Sequence, residues 1–402
     1  MIALPLKTMD ASESLAFLGM TLAEFAAARG KHPQGLRQEY RDRMRRGEGL
    51  TLAPVSRRED CALDGTVKFC LPVETGGATT EAGKMPALPM ATPMEAGRMP
   101  ALPATRAKAG GMPALPVATP TLETETVIIP MTSYRGTSWY TLCVSSQVGC
   151  RMGCTFCETG RMGLIRNLTA AQIVRQRLMA RRLRLENAEP VQGPDHSYFA
   201  DGIQNIVFMG MGEPLDNFDN LVQAIRVLSE PQGMNFPHQQ ICVSTVGRID
   251  GLRKLGALGW GNLRIAVSLN AANDKLRDEL MPINKGMPLA ELKRALQEYP
   301  KSPRGLYLIE YVLIKGVNDS RADADAVAAF CQGLKCIVNV IPYNPQRYAT
   351  FETPSNETVL AFMAQLKTHR VFVKRRITHG RTLMGACGQL GNPEIRRQRA
   401  AS

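Results

Sequence analysis

Six short runs rich in β-branched and aliphatic residues, at 140–144, 205–209, 240–244, 263–268, 306–313 and 337–341, alternate with amphipathic stretches. One such stretch, 169–185, opens on Thr169, a residue type suited to cap a helix. Strands separated by helix-length connections pair in parallel, because only a long crossover returns the chain in the same direction. Such crossovers are right-handed, so the alternation predicts an α/β fold with functional loops after the C-terminal ends of the strands. Periodicity alone leaves an open sheet and a barrel as alternatives.

The flanks read differently. Residues 1–72 form a small leading region with a helical candidate at 21–46, broken near Pro33. Residues 75–120 carry the near-copies AGKMPALP, AGRMPALP and AGGMPALP, with two prolines each and almost nothing to bury. They read as a low-complexity, disordered insertion without chemistry. Residues 124–345 hold the alternating segment, and 346–402 form a C-terminal extension. No apolar run approaches the roughly 20 residues that span a bilayer, and the start lacks a secretion-signal plan. A cytoplasmic protein without a membrane partner is expected.

Ten cysteines accompany only five histidines, which in a large cytosolic chain favours metal or redox chemistry over disulfides. The net charge of +13 predicts a polyanionic partner. Arginines concentrate at Arg37, Arg41, Arg43, Arg45 and Arg46, at Arg175, Arg177, Arg181, Arg182 and Arg184, and at Arg396, Arg397 and Arg399. Each cluster reads either as a solvated face or as a grip on phosphates.

The densest chemistry is CVSSQVGCRMGCTFC, from Cys143 to Cys157. Cys150, Cys154 and Cys157, spaced by four and three residues, can converge on one inorganic centre, and iron–sulfur clusters are held by such thiolates. No second C-x-x-C is present to complete a structural zinc site.

With Phe156 before its last cysteine, this string resembles the radical S-adenosylmethionine (SAM) signature. The wider sequence is similar to the RlmN/Cfr family of RNA adenine methyltransferases over about 124–390. The resemblance implies a partial (β/α)6 barrel with a small helical N-terminal region and a C-terminal extension. It further implies a [4Fe-4S] cluster on Cys150, Cys154 and Cys157, with SAM bound through its amino and carboxylate groups at the open iron. Gly210-Met211-Gly212-Glu213-Pro214 resembles the family's GMGEP loop, which places Gly212 and Glu213 at SAM. Ser244, Ser268, Leu269, Asn270 and Asn344 match further SAM contacts. At Asn270 the family usually carries histidine.

Two more cysteines belong to the implied chemistry. Cys387, in ACGQL, is the methyl-carrying thiol of the resemblance, and Cys143 its resolving thiol. Glu125 aligns with a glutamate treated as a proton acceptor. Cys61, Cys70, Cys242, Cys331 and Cys336 read as small buried hydrophobes. Adenine C2 offers no lone pair, so ordinary methyl transfer fails there. The implied route methylates Cys387, abstracts hydrogen from that methyl with a 5′-deoxyadenosyl radical and adds the methylene to the base. A transient Cys143–Cys387 disulfide then frees the product, and either Cys143 or Glu125 takes the ring proton.

The implied substrate is an adenosine of ribosomal or transfer RNA, presented outside a helix. A ferredoxin or flavodoxin is the expected electron donor, and a monomer the expected state. Rivals are methylation at C8 and a glycyl-radical activase, which needs neither Cys143 nor Cys387. The stretch before Cys387, His379-Gly380-Arg381-Thr382-Leu383-Met384-Gly385, departs from the family's acidic Gly-Asp-Asp-Ile-Asp, which bears on substrate choice and on the motion of the tail.

Overall fold

The computed structural model describes residues 6–74, 122–186, 200–392 and 395. The repeat-bearing stretch 75–120 and Arg396, Arg397 and Arg399 lie outside the described residues. Residues up to 73 and from 122 onward form one compact unit.

The leading region begins with three helices, α1 (Ala11–Leu18), α2 (Leu22–Ala28) and α3 (Pro33–Arg46). The helical stretch expected at 21–46 breaks near Pro33 as expected: Gly30, at φ +60°, follows the end of α2, and α3 starts with His32 as cap and Pro33 in the first turn. Phe17, Phe25 and Tyr40 pack ring against ring between these helices, and the Tyr40 hydroxyl donates to the Met20 carbonyl. A hairpin follows, β1 (Arg57–Asp60) and β2 (Val67–Pro72), then β3 (Glu123–Thr132) and β4 (Ser138–Cys143).

These four strands run antiparallel as β1-β2-β3-β4. From β4 the sheet continues in parallel through β7 (Ile203–Phe208), β8 (Ile241–Thr245), β9 (Arg264–Ser268), β10 (Tyr307–Leu313), β11 (Cys336–Pro342) and β12 (Val373–Arg375). All six expected strands are present in their expected order. The ten-strand order runs from β1 at one end to β12 at the other, so the parallel part is a partial barrel. A separate two-stranded ribbon pairs β5 (Gln147–Cys150) with β6 (Gly163–Asn167).

The helices after the leading region are α4 (Glu158–Arg161), α5 (Ala170–Leu185), α6 (Phe218–Ser229), α7 (Ile249–Ala257), α8 (Asp274–Leu280), α9 (Leu289–Glu298), α10 (Arg321–Cys331) and α11 (Asn356–Thr368). Thr169 caps α5 as expected, in a reciprocal capping box with Gln172. On β10, Tyr307, Ile309, Tyr311 and Leu313 are buried, and Tyr311 stacks on Phe362 of α11. The alternate positions Glu310 and Val312 line the cleft inside the barrel.

β3, which bears Glu125, is an interior strand, because the β1–β2 hairpin covers its other side. One expectation changes. Three arginines of the clusters fit neither a solvated face nor a grip on phosphates. Arg43, Arg175 and Arg177 are buried: Arg43 binds the Lys7 and Gly49 carbonyls and Glu39, and Arg177 pairs with buried Asp201. Arg184 lies over the Tyr140 ring. Arg43 thus closes the leading region on itself, while Arg177 and Arg184 tie α5 to Asp201 and to β4, since a buried charge needs a partner.

Candidate active site

The segment after β4 crosses the top of the barrel and is held by its own side chains. Gln176 of α5 accepts from the Ser145 N–H and the Thr126 hydroxyl, and its amide donates to the Ser145 carbonyl. The Ser145 hydroxyl donates to the Glu125 carbonyl and accepts from the Met211 N–H, tying this segment to the loop after β7. Gln147 Oε1 accepts from the Glu213 N–H. Gly212 sits at φ +100°, where a Cβ would come within 2.5 Å of the Gln147 side chain. Only glycine allows the two loops to lie this close.

Cys150, Cys154 and Cys157 all line the cleft these loops enclose, with Phe156 beside them. Burial pushes all three thiols up, and for Cys150 and Cys154 a neighbouring cysteine of the set adds to the shift. Three crowded thiols are costly to ionise together unless a cationic centre binds them, as an iron–sulfur cluster does. Among the described residues no three His, Cys, Asp or Glu side chains close on a single ion. The three sulfurs instead line one cleft together with polar strand-end groups, the concave kind of site in which cofactors bind. A cluster with SAM fits this donor set.

The cleft also carries polar groups from strand ends. Gly212, Glu213, Ser244, Ser268 and Asn270 line the same cleft. Glu213 is buried and accepts from the Leu215 and Val246 N–H groups. Burial nonetheless pushes its carboxyl up to about 7, the bonds opposing the shift. An ammonium group placed there would restore its charge. Asn270 adopts φ +56°, accepts from the Val312 N–H and directs its amide at the Met281 sulfur, so an asparagine holds this corner without a titratable ring. Leu269, expected at SAM, turns into the core with no exposure and does not line the cleft. Successive residues point to opposite sides of the chain, and only its main chain serves the site, through the Glu310 carbonyl and Arg277.

Cys387 enters from the C-terminal loop and lines the cleft with Gly388. Asn344 is buried, and its amide donates to the Cys387 carbonyl at 3.1 Å; it supports the loop and is not among the lining residues. The Gly388 carbonyl accepts from the Glu158 N–H, the Thr159 hydroxyl donates to the Leu390 carbonyl, and Gln389 donates to the Pro345 carbonyl. Glu125 Oε2 accepts from the Gly391 N–H at 2.8 Å, while its Oε1 faces Arg57 and Lys68 at 3.3 and 3.6 Å. Glu125 therefore anchors the loop from outside the cleft lining.

Cys143, at the end of β4, is buried behind this surface. Burial and the neighbouring Cys387 push its thiol up to about 12, against the pull of Arg376 and the Met209 N–H. All ten cysteines are free, so Cys143 and Cys387 stand as neighbouring thiols without a disulfide. Cys61, Cys70, Cys242 and Cys331 are buried as expected, and Cys336 is half-buried beside Cys331.

Two residues escaped the sequence reading. Arg376, just past β12, is the only lysine or arginine among the described residues lining the cleft. Cys387 above all, then Glu310 at 3.6 Å, hold its guanidinium firmly charged. Glu310 also accepts from Asn339. An acid at an inward strand position, within Tyr-Leu-Ile-Glu-Tyr-Val-Leu, is a legible signal. Arg376 was hidden in the Lys374-Arg375-Arg376 run.

Residues 144–327 match the Radical SAM superfamily. The chain is 43% identical over 278 residues to the probable dual-specificity RNA methyltransferase RlmN 1 of Protochlamydia amoebophila, covering 69% of this chain and 72% of that protein. It is 44% identical over 250 residues to the dual-specificity RNA methyltransferase RlmN of Syntrophobacter fumaroxidans, covering 62% and 69%. A radical SAM methyltransferase from Sphaerobacter thermophilus superposes with a TM-score of 0.71 at 31% identity, over 92% of this chain and 98% of that one. Sequence, fold and cleft agree: the chain belongs to the RlmN family of radical SAM RNA methyltransferases.

Proposed function

We propose that this enzyme methylates C2 of an adenosine in ribosomal or transfer RNA, with Cys387 carrying the incoming carbon. The observation that carries the reading is the placing of Cys387 in one cleft with the three-cysteine wall, with Cys143 and Arg376 beside it. Cys150, Cys154 and Cys157 would hold the [4Fe-4S] cluster, which with bound SAM supplies one-electron cleavage to a carbon radical. Glu213 would receive the SAM ammonium, and Ser244, Ser268 and Asn270 would orient its remaining polar groups.

Within this frame the Cys387 sulfur, beside the Arg376 charge, would take the methyl group of a first SAM. It gives up its proton as the S–CH3 bond forms, while the sulfonium S–CH3 bond breaks and S-adenosylhomocysteine leaves. After the carbon has joined the base, Cys143 attacks the Cys387 sulfur. Cys143 loses its proton, a sulfur–sulfur bond forms and the sulfur–carbon bond breaks. Its electron pair stays with the carbon, which takes up a proton as the methyl group, and an external reductant then restores both thiols. Glu125 is engaged by Arg57, Lys68 and Gly391, so it can take a proton only once the loop releases it.

The working place we infer is the cytoplasm, where ten free thiols stay reduced. The electron donor we infer is a ferredoxin or flavodoxin, and the working state a monomer. No helix among the described residues is long and apolar enough to cross a membrane.

The test incubates cluster-loaded protein with SAM, a reductant and total RNA, then quantifies methyladenosines by mass spectrometry. 2-Methyladenosine is expected from native protein and not from Cys387→Ala. Cys143→Ala is expected to accumulate an RNA–protein crosslink. A product at C8 would overturn the position. Methylation by Cys387→Ala would overturn the role of that thiol.

A further inference from the structure

The loop bearing Cys387 has no acid of its own. From Thr358 through Pro393 the sequence contains neither Asp nor Glu. Both ends of the loop are nevertheless held by carboxylates from elsewhere. Glu125 binds the Gly391 N–H on the far side of Cys387. On the near side, Asp64 Oδ2 accepts from the Gly380 N–H at 2.8 Å.

Asp64 belongs to the turn between β1 and β2, in the leading region. Its Oδ1 accepts from the Thr66 N–H at 3.0 Å, which fixes the side chain in place. His379 Nδ1 lies 3.8 Å from the same carboxylate, and Cys61 Sγ meets the Thr382 hydroxyl at 3.4 Å. Gly380 is at φ +66°, and a Cβ there would lie 2.9 Å from Thr66 Cγ2. The Gly385 N–H then closes back on the Gly380 carbonyl at 2.9 Å, two residues before Cys387. Burial raises the Asp64 carboxyl, but the bonds from Gly380 and Thr66 outweigh it and bring its pKa down to about 2.

We propose that Asp64 is a positioning residue for Cys387: the hairpin turn of the leading region grips the Gly380 N–H and sets where the reactive sulfur sits in the cleft. This rests on the reading of Cys387 as the carbon-carrying thiol. A displacement of about 1 Å at a reacting atom is enough to lose a large part of the rate. The grip thus gives the leading region a catalytic consequence without any contact to substrate.

The experiment uses full-length Asp64→Ala, Asp64→Asn and Gly380→Ala proteins. Hydrogen exchange of residues 379–388 and the iodoacetamide alkylation rate of Cys387 are read before any cofactor is loaded. The loaded enzyme then gives the ratio of 5′-deoxyadenosine released to adenosine methylated. For Asp64→Ala, exchange of the Gly380 amide is expected to rise about tenfold or more, as for loss of a bond to a charged acceptor. Cys387 alkylation should quicken, and the ratio should climb several-fold at unchanged SAM KM. Asp64→Asn has one oxygen for two N–H donors, Gly380 and Thr66, and should fall between native and the alanine variant. Gly380→Ala breaks the same contact from the loop side and should match Asp64→Ala, including where Asp64→Ala folds poorly.

A native ratio in Asp64→Ala and Gly380→Ala overturns the proposal, whether or not exchange rises. So does an asparagine variant as impaired as the alanine one. Cys387→Ala separates the two failures. Methylation without Cys387 overturns the underlying reading and the proposal together. Methylation that needs Cys387 but ignores Asp64 overturns the proposal alone.

Discussion

The two walls of the cleft are built on opposite principles. The wall proposed to bind SAM hangs on ends of parallel strands whose core residues, Ile206, Val243, Ile265, Ile309 and Val338 among them, have no exposure. Its functional groups inherit their positions from many packed neighbours at once. The wall bearing Cys387 is a loop without a strand, held by single bonds from Asp64, Asn344, Glu158, Thr159 and Glu125 to its main chain. A packed wall is stable and hard to shift, whereas a bonded loop can be released and re-formed at small cost. The chemistry proposed for Cys387 asks for the second kind, because its sulfur meets SAM, base and Cys143 in turn.

The contrast breaks most sharply in the core. Ile309→Ala, in the middle of β10, should cost about 2–5 kcal/mol of global stability by leaving a cavity, read as a lowered urea midpoint. A loss below about 1 kcal/mol would mean that the wall is not overdetermined by packing. Next in size is Glu213→Gln, which removes the charge meant for the SAM ammonium while leaving the fold intact. A bond between charged groups is worth about 1.5–3 kcal/mol, so SAM affinity by equilibrium dialysis should fall about tenfold to a hundredfold. Unchanged affinity would remove Glu213 from the SAM site.

Asn344→Ala sharpens the comparison from the loop side. One neutral hydrogen bond to the Cys387 carbonyl is worth about 1 kcal/mol. Global stability should therefore barely move, while exchange protection around Cys387 drops. If SAM affinity fell and the loop stayed protected, Asn344 would be a cofactor contact, as the family resemblance first implied, and not a support of the loop.

Sequence reasoning served the two walls unequally for the same physical cause. Packed strands announce themselves as apolar runs, and all six expected strands of the parallel sheet recur within two residues of their expected ends. The cleft residues at their tips could then be named by motif, apart from Leu269, whose direction depends on the alternation of the chain. The β1–β2 hairpin was illegible, because Arg57-Arg58-Glu59-Asp60 is a strand of four charged residues whose ladder partner is β2 and whose ion pairs reach distant residues such as Glu125 and Glu186. Since the hairpin was missed, so were Asp64 and the interior place of β3. The burial of Arg175 and Arg177 was hidden likewise, since their partners, such as Asp201 against Arg177, lie far along the chain or on its carbonyls. Local pattern reveals what is held by packing; contacts between distant polar groups leave no periodic trace.

The smallest expected effect is a dependence on pH that stays silent across the working range. Asp64 titrates near 2 in the folded chain, below the roughly 3.9 of a free aspartate. A depressed carboxyl stabilises the fold fully above its unfolded pKa, and that share is lost as pH falls through the folded value. The difference in urea midpoint between native protein and Asp64→Asn should therefore be level from about pH 5 upward and shrink only between about 4 and 2. Exchange protection at Gly380 should be equally indifferent to pH from 6 to 8, once the intrinsic exchange rate is divided out. A midpoint difference that fades near pH 6 would mean that the grip is titrated by another group, with His379 beside the carboxylate the one to replace first. A level difference would leave the loop fastened at this end throughout neutral pH, so that its release during the reaction must begin at the Glu125 end.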